Sequence, residues 1–295
     1  MPAGALLRQT LLTGANAGGG WAYYAGKTSR LEPTCWALLA LGASGSSAAS
    51  LAPHAQFLTR CQRASGWLVE DPAWPINIGF NALVAVTWLS RPDLATDDAR
   101  SRLLAALTAS KGIQAPPTAD TAQNNSLQGW SWFDATFSWV EPTSWALLAL
   151  KKSARAGIAN RDAPARIAEA DRLLIDRACR PGGWNFGNSN MMRQDLRPYV
   201  PTTALALLAM QDRREESAVT RGLDYLEQHW INEESAPALG LSLLCLSAYG
   251  RPADTLADRL GAHVPLAVSF GNLHGVASAL LALSSQDGQV NAFRI

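Results

Sequence analysis

The sequence has no strong excess of charge of either sign. Its 295 residues include 25 basic and 24 acidic side chains, which gives a formal net charge of +1, and no basic run alternates with aromatic residues. Proteins that bind nucleic acid usually carry a basic patch that neutralises phosphates. We therefore expect no nucleic-acid partner. Charged residues make up only 17% of the chain against 48% hydrophobic residues, which is ample apolar material for an extended core.

Long apolar runs and paired cysteines are also missing. No apolar stretch approaches the roughly 20 residues of a membrane-spanning helix, and the first residues lack the charged start and apolar segment of a secretion signal. Cys35, Cys61, Cys179 and Cys245 lie far apart without a C-x-x-C spacing. This spacing predicts small core residues in a reducing compartment. Together these absences predict a cytoplasmic protein without a transmembrane segment.

The sequence does contain a loose internal repeat. A Gly-Trp pair recurs at intervals of about 46 to 63 residues, as Gly20-Trp21, Gly66-Trp67, Gly129-Trp130 and Gly183-Trp184. A loop and then an apolar segment rich in Ala and Leu follow each pair. These segments start at Pro33, Asn77, Pro142 and Pro201, and two weaker copies start at Ala236 and Gly271. Because they are apolar nearly all round, we expect helices that are buried on most faces.

A second kind of segment separates these repeats. The stretches Asp93 to Lys111, Pro164 to Cys179 and Glu215 to His229 mix aliphatic and charged residues at helical spacing, which predicts helices with one buried face. Two alternating helix populations predict an all-α fold, a double layer of about six helical hairpins. The array runs on as a solenoid or closes into a ring, and closure leaves no exposed end. We therefore expect a single α/α toroid domain over residues 1–295.

The residues around two of the Gly-Trp pairs resemble a known motif. Phe57-Leu58, Gln62 and Gly66-Trp67 resemble the QW motif of squalene–hopene and oxidosqualene cyclases, with one residue missing between Gly and Trp. Leu173-Leu174, Ala178, Gly182 and Trp184 keep the Gly-x-Trp spacing with Ala in place of Gln.

The chain as a whole resembles the superfamily of squalene and hopene cyclases and protein prenyltransferase β-subunits, whose shared fold is an α/α toroid. In the cyclases the indole of this motif donates its N–H and the Gln amide bridges backbone ends. The resemblance implies this structural role for Trp67 and Trp184.

The resemblance also implies two catalytic acid candidates. Squalene-type cyclases protonate an alkene with an aspartate from a D-x-D-D-T segment that leads into an inner helix. The corresponding places here read Val140-Glu141-Pro142-Thr143 and Leu31-Glu32-Pro33-Thr34, with a single carboxyl each. Glu141 and Glu32 are therefore the candidates, provided that burial raises the pKa. The alternative is that both lie in a first helical turn because the helix dipole favours a carboxylate there.

In a toroid of this family, the loops before the inner helices open toward a central cavity. Aromatic rings there contact an isoprenoid chain or stabilise a cation. The substrate-binding candidates are Trp132, Phe133, Phe137, Trp139, Trp145 and Tyr24 among the aromatic residues, and Asp134, Arg30, Arg197 and His274 among the polar ones. The alternative is that the rings are ordinary core or loop anchors.

Metal and cofactor motifs of the related enzymes are not matched. Prenyltransferases hold zinc with Asp, Cys and His, whereas His274 lacks such partners and Cys245 has no Asp two residues before it. The pair Asp97-Asp98 is typical of a helix start capped by Thr96 or Asp97. We predict no metal and no cofactor. Two functions remain, a terpenoid cyclase-like enzyme with a hydrophobic, isoprenoid-type substrate, and a non-catalytic toroid that binds a hydrophobic ligand or a partner protein.

Overall fold

The all-α prediction is confirmed. The computed structural model describes residues 3–116, 122–286 and 291–295. Within these ranges the chain forms twelve α-helices. They are α1 Ala3–Gly14, α2 Leu31–Ala43, α3 Ala48–Cys61, α4 Ile78–Ser90, α5 Asp97–Ala109, α6 Val140–Arg155, α7 Ala163–Asp176, α8 Val200–Ala209, α9 Ser217–His229, α10 Ala236–Tyr249, α11 Asp254–Ser269 and α12 Leu273–Ser284.

Other regular structure in these ranges is short. Two 3₁₀ turns span Pro92–Leu94 and Trp230–Asn232. A two-stranded antiparallel hairpin consists of β1 Asn190–Met191 and β2 Gln194–Asp195, with Met191 opposite Gln194.

The even-numbered helices are the Ala- and Leu-rich segments of the repeat, and they are buried on nearly every side. In α2 every residue from Pro33 to Leu41 is buried, and α10 is buried over almost its whole length. The odd-numbered helices bury one face. In α9 the buried residues include Val219, Leu223 and Leu226, which are spaced three or four apart as one helical face requires. The predicted two populations of helices are therefore present.

The even-numbered helices contact one another in chain order. Each of α2, α4, α6, α8 and α10 packs against the next even-numbered helix, and α12 packs against both α10 and α2. The odd-numbered helices lie against this set, with α3 on α2, α5 on α4, α7 on α6, α9 on α8, and α11 on α10 and α12. The buried apolar side chains form one connected core from Leu7 to Phe293.

The predicted helix starts lie close to the observed ones. Pro33, Pro142 and Pro201 all lie in a first turn, where a missing N–H breaks no helical hydrogen bond. Helix α4 has no proline there, and Asn77 caps it by accepting a hydrogen bond from the Phe80 N–H. Thr96, and not Asp97, caps α5.

All four cysteines are buried free thiols, as predicted for core residues. Among the described helices, none combines the length and apolarity that crossing a membrane requires.

Candidate functional site

The Gly-Trp turns are attached to the helix starts by a repeated hydrogen-bond clamp. At the third turn the Trp130 N–H donates to Thr143 Oγ1 at 2.9 Å, and this hydroxyl lies 3.3 Å from the Trp130 carbonyl to which it donates. The pairs Trp21 with Thr34 and Trp184 with Thr203 repeat the arrangement. Because Thr follows the Glu-Pro pair directly, the clamp fixes Glu32 and Glu141 at the first turn of α2 and α6.

At the second Gly-Trp turn, Trp67 does not occupy the position of the buried indole that we predicted for it. The side chain of Asn81 takes the place of Thr and makes the paired hydrogen bonds to the N–H and carbonyl of Leu68, at 2.7 and 2.9 Å. Leu68 is thus equivalent to the other turn tryptophans, and Trp67 lies one residue earlier on the chain. Trp67 is only half-buried, whereas Leu68 is fully buried. The assignment of Trp67 to the indole position is therefore wrong by one residue.

The Trp184 and Gln62 roles expected from the resemblance are present in the geometry. Trp184 is fully buried and its Nε1–H donates to the Leu174 carbonyl at 2.6 Å. The Gln62 amide nitrogen donates to the carbonyls of Gly66 and Ala99, and so joins its turn to α5. These contacts are structural.

Two carboxyl groups at the starts of α2 and α6, Glu32 and Glu141, lie near enough for their charges to interact. Burial raises the pKa of Glu141 to about 7, and the negative charge of Glu32 adds to this shift. Glu32 accepts a hydrogen bond from the Tyr23 hydroxyl. Burial and then the Glu32 charge raise the pKa of Tyr23 far above its usual range, so the hydroxyl stays protonated. Near neutral pH, Glu141 is therefore partly protonated, and the Tyr23 hydroxyl keeps the proton that it donates to Glu32.

Three buried aromatic rings meet beside this carboxyl pair. Trp36 and Trp145 lie edge to face with ring centroids 6.1 Å apart, and Phe293 lies 5.3 Å from each. Their exposed fractions are 2%, 4% and 0%. His274, at the start of α12, lies 5.3 Å from the Trp36 ring and 6.4 Å from Tyr23. Burial lowers the pKa of His274, so its imidazole is neutral at neutral pH.

Arg30 lies next to the carboxyl pair and has a carboxylate partner. Its Nε is 2.9 Å from Glu70 Oε2, and its guanidinium stacks 4.6 Å from the Trp74 ring centre. Glu70 also accepts the Leu31 backbone N–H at 2.5 Å, at the start of α2. Arg30 lies close enough to Tyr23 and Glu32 for their charges to interact.

The six predicted aromatic residues do not lie together. Trp145 belongs to the buried ring cluster, whereas Trp132 packs against Phe80 at the start of α4, with centroids 5.8 Å apart. Phe137 and Trp139 line a separate cavity of about 300 Å³ with Arg177 and Met191. Phe133 is 39% exposed.

The remaining predicted residues lie in exposed positions or line other cavities. Tyr24 is half exposed and lines a cavity of about 550 Å³ with Leu266 and Phe270. Asp134 is exposed and lines a third cavity beside Trp67. Arg197 is exposed and lies 5.9 Å from the Tyr199 ring centre. Of the predicted polar residues, the structure brings Arg30, Glu32, Glu141 and His274 to one region.

Four residues of this region were absent from the predicted site. Trp36 had a signal, because it follows Pro33 by three residues as Trp145 follows Pro142. Glu70 had a weak signal, because it is a loop carboxyl that follows the Gly66-Trp67 pair by a few residues. Tyr23 and Phe293 had none; Tyr23 lies nine residues before Glu32, and Phe293 contacts Trp36 and Trp145 from far along the sequence. Among the described residues, no group of three His, Cys, Asp or Glu side chains is placed to hold a metal ion.

Comparison with known proteins adds no assignment. No protein-family model matches the chain, and no curated protein matches it in sequence.

Proposed function

We propose that the chain is an α/α toroid of the squalene cyclase and prenyltransferase β-subunit type. Two observations support this architecture. The six even-numbered helices contact one another in chain order and the last contacts the first. The Trp-Thr clamp recurs at the starts of α2, α6 and α8, which is what structural repeats of one unit would produce.

Within this architecture we propose a terpenoid cyclase-like function, in which an isoprenoid or other hydrophobic substrate binds in the centre and Glu141 acts as general acid. The observation that carries the proposal is the buried carboxyl of Glu141, whose pKa of about 7, raised by burial and by the charge of Glu32, leaves it partly protonated near neutral pH. Two carboxyl groups in different environments divide the acid and base roles between them. Glu32, which accepts a hydrogen bond from the Tyr23 hydroxyl, is the second carboxyl of the site.

The raised pKa of Glu141 also limits the reactions in which it can act as an acid. A raised pKa keeps the proton in place at pH 7 but makes the group a weaker acid. Glu141 therefore suits proton transfer to an oxygen atom or an activated double bond better than protonation of an isolated alkene. Buried rings of Trp36 and Trp145 lie close by and would contact an apolar chain or a developing positive charge.

A specific observation favours a second function, a non-catalytic module. Trp36, Trp145 and Phe293 fill the space between the helices with nearly fully buried rings. A centre that is filled in this way leaves less room for a substrate than a deep lined pocket. In this case the exposed faces would contact a ligand or a partner protein.

Product analysis with a matched variant distinguishes the two functions. The purified protein is incubated with squalene and with prenyl diphosphates, and products are identified by mass spectrometry. We expect new products from the prenyl diphosphates, which carry oxygen atoms, more than from squalene, which has only isolated alkenes, and these products should vanish in Glu141→Gln and persist in Glu215→Gln, which changes an exposed glutamate before α9. Because the acid must be protonated, turnover should fall as the pH rises through about 7. Products that survive in Glu141→Gln, or no products from the wild-type protein, would contradict the enzyme proposal.

A further inference from the structure

Two consecutive lysines near the end of α6 have opposite environments. Lys151 is 5% exposed and its Nζ lies 2.7 Å from Asp171, 2.5 Å from Asp212 and 2.9 Å from the Ala209 carbonyl. Its charge is therefore neutralised by two carboxylates. This is the usual arrangement for a buried lysine, because an unpaired charge in the interior is costly.

Lys152 has no such carboxylate partner among the described residues. Its Nζ donates one hydrogen bond, at 2.9 Å, to the backbone carbonyl of Arg294. Burial lowers the pKa of Lys152 to about 8. Two of the three N–H donors of the ammonium group have no protein acceptor in the described contacts, and no carboxylate in the described part of the chain pairs with the positive charge.

Lys152 lines a cavity of about 390 Å³ between the C-terminal ends of α2, α4 and α6 and the segment 291–295. Arg91 and Arg294 line it as well, together with the polar side chains of Ser90 and Asn291. None of the lining residues in the described ranges is acidic. The cavity thus combines three cationic side chains with neutral hydrogen-bonding groups.

The guanidinium of Arg91 occupies space that the absence of a side chain at Gly42 leaves open. Asp93 occupies the Nε and one terminal nitrogen of Arg91, at 2.9 and 2.6 Å. The other terminal nitrogen, Nη1, lies 1.8 Å from the position that a Cβ on Gly42 would occupy. Any side chain at position 42 would displace Arg91. Helix C-termini carry only about half a negative charge each, which does not neutralise the full charges of Lys152 and Arg294.

We propose that this cavity binds a phosphate group, either as free phosphate or as part of a small phosphate ester. Lys152 and Arg294 provide the positive charge, and Nη1 of Arg91 and the second N–H of the Asn291 amide add hydrogen-bond donors, while the Ser90 hydroxyl donates to the Ala292 carbonyl. Apolar residues Leu39 and Leu89 line the rest of the cavity, which has room for a short organic group. Lys152 lies eleven residues after Glu141 on α6, about 16 Å along the helix. The site is therefore distinct from the carboxyl pair and independent of the proposed function.

Isothermal titration calorimetry at constant ionic strength tests the proposal, with inorganic phosphate, glycerol phosphate and chloride as separate titrants. We expect wild-type protein to bind phosphate and not chloride. Lys152→Gln should weaken phosphate binding at least tenfold, Lys152→Arg should retain it, and Lys111→Gln, which removes an exposed lysine, should leave it unchanged. Tighter binding of glycerol phosphate would identify an ester as the ligand, and tighter binding of phosphate would identify the free ion.

A measurement on the wild-type protein provides a second readout that does not depend on the folding of a variant. Lysines are reductively methylated with ¹³C-formaldehyde, and Lys152 is quantified by peptide mass spectrometry. Phosphate should slow methylation of Lys152 and not that of Lys111. The proposal fails if phosphate and chloride give the same rates, or if Lys152→Gln binds phosphate as tightly as the wild type.

Discussion

At the scale of single residues, Glu141 tests the balance between burial and the helix dipole. Its pKa is about 7 in the folded protein and about 4.5 in an unfolded chain. Between these values the folded state holds more protons than the unfolded state, so stability falls as the pH rises from 4.5 to 7. Glu141→Gln removes this loss. We expect the variant to be more stable than the wild type at pH 8, by up to about 3 kcal/mol, and equally stable at pH 4.

Urea denaturation at the two pH values measures this difference. Glu215→Gln is the matched control, since it changes an exposed carboxylate and should have little effect at either pH. If Glu141→Gln is instead less stable than the wild type at pH 8, the helix dipole outweighs burial, and Glu141 is a charged residue of a helix start with no stored proton.

The sequence identifies some residues of this region and misses others for a physical reason. Glu32 and Glu141 could be predicted because a Glu-Pro-Thr step marks a helix start, which depends on neighbouring residues. Tyr23 could not, because no sequence pattern pairs it with Glu32, and the contact of Glu70 with the start of α2 could not, because it joins residues 39 positions apart. Phe137 and Trp139 are aromatic residues close to Trp145 in the sequence, yet they line a surface cavity whereas Trp145 belongs to the buried ring cluster.

At the scale of structural elements, the turns before the even-numbered helices depend on close backbone contacts. Gly66 has a φ of 92°, and a Cβ there would lie 2.4 Å from the Arg102 carbonyl oxygen of α5. Gly45 has a similar φ of 90° with no atom within 4 Å of such a Cβ. We expect Gly45→Ala to cost about 1 kcal/mol, from backbone strain alone. Gly66→Ala should cost at least about 2 kcal/mol more, because the turn must also move away from α5.

Thermal and urea denaturation of the two variants separate these costs. The conformational strain is common to both, so the difference between them reports the contact between the turn and the helix. Equal losses in stability would mean that the turn is not held against α5 as the structure describes.

The offset of the second turn shows which part of an element the sequence can predict. The helices follow from periodic apolar residues, and their starts are correct to within a few residues. The register of a turn depends on which residue makes the clamp. At the second turn Asn81 replaces Thr and binds Leu68, so alignment on the conspicuous Trp67 places the turn one residue too early.

At the scale of the whole molecule, the segment 291–295 joins parts of the chain that are far apart in sequence. Ser90 at the end of α4 donates to the Ala292 carbonyl at 2.7 Å, and Asn291 donates to the Leu244 carbonyl of α10 at 2.8 Å. Gln211, just after α8, donates to the Phe293 carbonyl at 2.7 Å. No local sequence pattern predicts these contacts, because each one joins the segment to a helix that is far away in the sequence.

Phe293 is the side chain by which this segment packs in the core, and its removal tests how much this packing contributes to stability. Phe293→Ala should leave a cavity between Trp36 and Trp145 and lower the free energy of unfolding by about 3 to 5 kcal/mol. Phe270→Ala is the matched control, because Phe270 is 67% exposed and its loss should cost little. Urea denaturation followed by tryptophan fluorescence measures both. If the two variants lose the same stability, Phe293 is not part of the core. If Phe293→Ala is strongly destabilised and gains affinity for a small aromatic probe, the ring fills a space that an apolar ligand can occupy.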